Sequence, residues 1–203
     1  MKKKKGTFFI VIGIVLIIAA LILTIYNIYD GKRAEKASSL ILPDLKAEII
    51  EQGEELEGIE NSSGADAFVN PDRDMPVIEI DGERYIGVLE IPDIDLVLPI
   101  MGEWSYSSLR TAPCRYVGSV YQNNMVIAGH NYARHFRPIK NLPVGTEIIF
   151  TDGENRIFEY ELGWIEVMDE TAVEEMLTGD WDLTLFTCTY GGRARYAARC
   201  IRK

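Results

Sequence analysis

The sequence predicts a mainly β domain of seven or eight short strands, carried behind an apolar N-terminal helix. Three observations predict it. Residues 8–26, FFIVIGIVLIIAALILTIY, hold no charge and one clearly polar residue, Thr24. From Val77 to Lys203 short apolar segments alternate with Gly, Asp, Asn and Pro turn signals, the pattern of a barrel or a sandwich. Between the two lies an acidic stretch that ends in GIENSSGADAFVNPDRDMP, residues 58–76, rich in Gly, Ser, Asn, Asp and Pro. That composition reads as a linker.

Taken in order, residues 1–7 form a basic tail with Lys2, Lys3, Lys4 and Lys5. Residues 8–27 are long enough to anchor the chain, because about 20 apolar residues cross a hydrocarbon core of about 30 Å. The apolar run exceeds the h-region of a cleavable signal peptide, and no clear A-x-A site follows it. Four lysines before the span, against Lys32 and Arg33 after it, predict a cytoplasmic N-terminus and an extracytoplasmic remainder. No second apolar run follows, so no C-terminal anchor is expected. Residues 28–76 read as an acidic stalk with partial helix. Leu40, Leu42, Leu45, Ile49, Ile50 and Leu56 give a rough helical stripe, and Pro43 argues against one continuous helix.

The globular domain, residues 77–203, is large enough for one small core. PVIEIDGERYIGVLEIP reads as a hairpin around Asp81–Gly82. IDLVLPIMG is a further strand, and SSLRTAPCRYVGS a helical turn or loop. NNMVIAGH is a strand over Met125–Ala128 closing on Gly129 and His130. Two or three strands surround the second Asp-Gly pair, Asp152–Gly153. TAVEEMLTGD is a short helix with Thr171 as N-cap and Glu174 at the capping-box position. DLTLFTCTY and ARYAARCIR are the last two strands.

The net charge is −10. Thirteen Asp and Glu stand between Asp44 and Arg84 against Lys46, Arg73 and Arg84. Such a surface disfavours nucleic acid, which binds through phosphate neutralisation. It reads instead as a solvated, self-repelling stalk. Cys114, Cys188 and Cys200 are an odd set with no CxxC, and His130 and His135 are the two histidines. No metal site is expected, and no cofactor motif is present. Glu166, Asp169, Glu170, Glu174 and Glu175 read as a solvated acidic face. Cys114 and Cys200 read as buried free thiols, with a disulfide between them as the alternative.

Cysteine is by default a small buried hydrophobe. Cys188 differs, because LTLF brings it to a strand end and TYGG turns the chain after it. His130 also ends a strand. On the last strand Arg195, Ala197 and Arg199 share one face, with Tyr196, Ala198 and Cys200 on the other. NNMVIAGH, then TLFTC, then a strand arginine together resemble the sortase family of cysteine transpeptidases, over roughly Tyr85 to Arg202. PDIDL resembles the Ile-Pro segment that opens many sortase barrels.

The resemblance implies a closed eight-stranded sortase-type β-barrel on the outer face of a Gram-positive membrane. It implies cleavage of a Leu-Pro-x-Thr-Gly-like sorting signal and transfer to an amine acceptor, such as lipid II or a cell-wall cross-bridge. Cys188 matches the nucleophile, His130 the acid/base, and Arg195, ahead of Arg199, the arginine on the scissile carbonyl. Thr187 matches a position that helps bind substrate. No metal is required. A pilin-polymerising sortase, another Cys/His wall transpeptidase or peptidase, and a non-catalytic tethered domain stand as alternatives. In an L,D-transpeptidase the histidine stands two residues before the cysteine, whereas His130 precedes Cys188 by 58 residues.

Overall fold

The structure, a computed structural model, describes residues 2–60 and 71–203. Helix α1 spans Lys2–Glu60 without a break. Its window from Phe8 onward is long and apolar enough to cross a membrane, and no part of that window is buried in the protein. The apolar stretch is therefore one end of a longer rod.

The second half of that rod corrects two readings: that Pro43 interrupts the helix, and that this segment is simply solvated. Pro43 lies inside the helix, at a cost of about 3 kcal/mol for the lost N–H bond and the ring clash. Tertiary packing offsets it. Ala34, Ser38, Leu45, Ile49 and Gly53 are buried along one stripe, since spacings of four and seven return to the same face. Leu45 and Ile49 join a cluster with Tyr85, Val88, Met101 and Cys114 on the outside of the barrel. Ser38 donates to the Thr111 carbonyl at 2.9 Å, and Lys46 pairs with Glu90 at 2.7 Å. Gly53 has no room for a side chain, because a Cβ there would lie 2.5 Å from the Asn155 Cβ. Asp44, Glu48, Glu51, Glu54 and Glu55 of this segment are exposed to solvent. Most of the linker read over residues 58–76 lies outside the described residues.

Nine strands follow: β1 (Ile78–Ile80), β2 (Glu83–Ile91), β3 (Leu96–Met101), β4 (Cys114–Val117), β5 (Met125–Gly129), β6 (Glu147–Asp152), β7 (Ile157–Asp169), β8 (Leu183–Cys188) and β9 (Ala194–Arg202). Eight of them close a barrel in the order β2-β3-β4-β5-β8-β9-β7-β6, with β6 returning to β2. This is the closed eight-stranded barrel that the resemblance implies. β1 is an additional short strand hairpinned onto β2. Asp81 and Gly82 both take positive φ, 53° and 79°, as a two-residue hairpin turn of the right twist requires. The segment at Cys114–Val117, read as a turn or loop, is strand β4. It pairs in parallel with β3 through Met101 and Cys114 and antiparallel with β5.

Strand alternation divides the sheet. Leu183 and Leu185 of β8, Met125 and Ile127 of β5, and Ala198 and Cys200 of β9 fill the barrel interior with Phe150, Tyr160 and Leu162. The intervening residues face outward. After β7 the short helix α2 (Val173–Leu177) lies over that outer face and buries Met176. Its N-cap is Ala172 and not Thr171. The Asp169 carboxylate accepts from the Thr171 N–H at 2.9 Å and from its hydroxyl at 2.6 Å. Those bonds hold Thr171 in a turn on β7 and delay the helix by one residue.

Candidate active site

The outward ends of three neighbouring strands form the site. β5 and β8 run parallel with Gly129 opposite Thr187, so His130 and Cys188 are the next residues on each. β8 and β9 run antiparallel with Cys188 opposite Arg195. Adjacent strands lie about 4.8 Å apart, which brings the three backbones within about two strand spacings. All three side chains line one groove, with a cavity volume of about 250 Å³.

Four aromatic side chains line one side of the groove. Tyr106, Trp104, Tyr116 and Phe186 form a chain of edge-to-face rings, with successive centroids 5.0, 5.7 and 5.6 Å apart. Phe186 stands two residues before Cys188 on the same face of β8, so the chain of rings ends at the thiol. An apolar trough with a few polar groups at one end suits an extended peptide with apolar side chains. Trp104 and Tyr106 come from the segment between β3 and β4, and the sequence reading did not single them out. They sit in a loop with no periodicity to expose them.

His130 is half-buried. Burial lowers its pKa from the ordinary histidine value; the Asp30 carboxylate raises it and the Arg110 guanidinium lowers it. Asp30 comes from α1. Its carboxylate accepts a short hydrogen bond from the Tyr132 hydroxyl, and the Tyr132 ring lies 4.8 Å from the imidazole, centroid to centroid. Neither residue was picked out from sequence, and nothing in their spacing signals that they meet. Gly129 has a packing reason: a Cβ there would sit 2.4 Å from the Phe136 ring.

The two arginines separate clearly. Arg195 lines the groove, and one guanidinium nitrogen donates to the Gly192 and Ala194 carbonyls at 2.8 and 3.2 Å. The turn that offers the Gly192 carbonyl needs positive φ at Gly191 and Gly192, 86° and 73°. Arg199 is buried and fully engaged. It donates to the Glu166 carboxylate at 2.6 Å, the Met176 carbonyl at 2.9 Å, the Glu175 carbonyl at 2.7 Å and the Thr184 hydroxyl at 3.0 Å. It pins α2 to the barrel.

Thr187, read as a substrate-binding position, stands apart from the other three. It is buried and absent from the groove wall, because alternation on β8 turns it away from the face that carries Phe186 and Cys188. Among the described residues its hydroxyl has no partner. His135 is also fully buried and unpartnered. Burial first, and then the nearby His130, push its pKa down to about 4.

The three thiols are all free; Cys114 and Cys200 are buried and Cys188 is half-buried. Burial raises both buried thiols, Cys114 to about 12. Among the described residues no group of three or more His, Cys, Asp or Glu is placed to hold a metal. Of the acidic face, Glu166 is held by Arg199 and Asp169 by Thr171.

The sequence matches the family model described as Sortase domain over residues 89–203, more than half of the chain. The chain belongs to the sortase family. Solved sortases share its fold. A Clostridium perfringens sortase D5 transpeptidase is 22% identical, with TM-score 0.56 over 85% of this chain and 99% of that one. Sortase C-3 of Streptococcus pneumoniae is 19% identical, with TM-score 0.54 over 86% and 90%. Sortase A of Listeria monocytogenes is 21% identical, with TM-score 0.52 over 59% and 87%. No curated protein sequence matches the chain. Sortases are cysteine transpeptidases that act on the sorting signals of surface proteins. In this barrel Cys188, His130 and Arg195 line one groove.

Proposed function

We propose that this sortase is held in the membrane by residues 8–27, with its N-terminus cytoplasmic and its catalytic barrel, residues 77–203, outside. It cleaves a Leu-Pro-x-Thr-Gly-like sorting signal and joins the freed carboxyl end to an amine of the cell wall, carried by lipid II or a cross-bridge. The convergence of Cys188, His130 and Arg195 on one aromatic groove carries this reading.

The Cys188 thiolate attacks the carbonyl carbon of the scissile peptide bond. The carbonyl oxygen takes negative charge, and the guanidinium donors of Arg195 that face the groove stabilise it. The C–N bond breaks as the His130 imidazolium gives its proton to the leaving amine. A thioester on Cys188 and neutral His130 remain. An incoming amine then attacks the thioester carbon and gives a proton to His130. The C–S bond breaks, a new amide forms, and the thiolate–imidazolium pair is restored. The chemistry needs no metal.

The test is peptide cleavage with intermediate capture. The chain should split a sorting-signal peptide, form a mass-shifted thioester at Cys188, and pass the acyl group to hydroxylamine. Cys188→Ala should abolish all three, while Cys114→Ala leaves them in place. Full turnover by Cys188→Ala, or consumption of peptidoglycan fragments with no sorting peptide present, would overturn the proposal.

A further inference from the structure

Asp30 lies one helical turn past Tyr26, where the apolar run ends, a rise of about 6 Å. Its side chain is only 14% exposed, and Arg33, one turn on, pairs with it at 3.1 Å. Tyr132 connects it to the groove. The Tyr132 hydroxyl bonds to Asp30, and its ring packs on His130 and on His135, with centroids 4.8 and 5.5 Å apart. The Tyr132 ring also lies over Gly31, 3.8 Å from where a Cβ would stand. Burial and the bond to Asp30 push the Tyr132 hydroxyl up to about 12, so it stays a protonated donor at neutral pH. Glu35 on the same helix pairs with Arg134 at 3.4 Å and holds the loop that contains Tyr132 against α1.

We propose that Asp30 is a positioning residue for His130: through Tyr132 it fixes the imidazole plane, and its negative charge favours the imidazolium that protonates the leaving amine. This rests on the transpeptidase reading above. The charged and titratable groups around His130 leave Asp30 a distinct part. Arg110, from the turn before β4, opposes the imidazolium. His135, on the same loop, is held neutral. Arg195 of β9 shares the groove with Cys188, and Asp169 and Glu170 line its far wall beside α2. Asp30, itself paired with the half-exposed Arg33, is therefore the acidic group linked to the acid/base through Tyr132, and α1 supplies it. The helix that anchors the enzyme also completes its site.

The test uses the full chain in lipid nanodiscs with histidine Cε1 labelled by carbon-13. The two histidine signals are assigned with His130→Ala. Asp30→Asn keeps an acceptor for the Tyr132 hydroxyl and removes the charge. It should move the His130 titration midpoint to lower pH and reduce kcat/KM at neutral pH about three- to tenfold through the smaller protonated fraction. KM should stay unchanged. Asp30→Glu should restore both readouts. An unmoved His130 midpoint in Asp30→Asn overturns the proposal whatever the turnover, and so does Asp30→Glu behaving like Asp30→Asn. If the chain cleaves no sorting peptide, the transpeptidase reading fails, yet the titration still decides the role of Asp30.

Discussion

Each end of the β8–β9 ribbon carries one cysteine and one arginine, in opposite circumstances. At one end Cys188 faces Arg195 across the strands; at the other Leu183 faces Cys200 and Thr184 faces Arg199. Cys200 lies in the barrel interior, and its thiol is driven up by burial. Arg199 makes four strong side-chain or carbonyl contacts and an ion pair within them. Cys188 and Arg195 border an open groove, and Arg195 spends one nitrogen on its own turn. The same residue types build structure where their bonding is complete. They can turn to chemistry where a donor is left facing solvent.

Alkylation of the thiols offers the widest contrast. Iodoacetamide on the native chain should modify Cys188 and spare Cys114 and Cys200, which react only when α1 undocks from Cys114 or the barrel opens around Cys200. Opening against a typical global stability slows them by at least about a thousandfold. Peptide mapping of the alkylated chain checks this. Labelling of Cys200 at a rate near that of Cys188 would break the contrast.

The arginines should divide activity from stability. Arg199→Ala leaves the Glu166 carboxylate and two carbonyls without their donor, and should cost about 3–5 kcal/mol in denaturant unfolding. Arg195→Ala should leave the unfolding midpoint within about 0.5 kcal/mol and lower kcat/KM for a sorting peptide about 10²- to 10³-fold. Loss of activity without loss of stability in Arg199→Ala would exchange their assignments.

The histidines repeat the contrast on the loop after β5. His135 is buried neutral, with its pKa lowered to about 4. The unfolded chain binds its proton nearer 6.5, so stability rises with pH wherever only the unfolded state is protonated. The contribution of His135 is fully present above about 6.5 and is lost as pH falls towards 4. It amounts to about 3 kcal/mol. Urea unfolding at steps of pH should show this decline, and His135→Gln should flatten it.

Much of the barrel was legible because its signals are local. Asp81–Gly82 can only be a tight turn, and the apolar alternation through Met125–Gly129 and Leu183–Cys188 fixes two central strands. Cys188, His130 and Arg195 were legible as a set through the resemblance of NNMVIAGH, TLFTC and a following strand arginine to the sortase family; alone, each residue read as ordinary. The docking of α1 was not. Its buried stripe includes Ala34, Ser38 and Gly53, small residues that carry little apolar signal and matter because they let a helix approach the sheet. The contact of Asp30 with Tyr132 spans 102 residues, and two polar residues at that separation have no pattern that joins them. Trp104 and Tyr106 line the groove from an irregular loop, where neither a period of two nor of 3.6 applies.

Thr187 gives the smallest effect and the cleanest check on which face is which. Its neighbour Cys188 faces the groove, so a period of two already turns Thr187 inward; the family resemblance pulled the reading the other way. A buried hydroxyl with no partner is costly to keep, by about 1–3 kcal/mol, and valine has nearly the same shape and suits a strand. Thr187→Val should therefore leave stability unchanged or raise it by up to about 1 kcal/mol, with KM for the sorting peptide within about twofold of the parent, a margin of about 0.4 kcal/mol. A large rise in KM with an unchanged unfolding midpoint would mean that the hydroxyl reaches substrate. The inner face of β8 would then take part in binding, and the division between the two faces of the ribbon would fail at its last residue before the nucleophile.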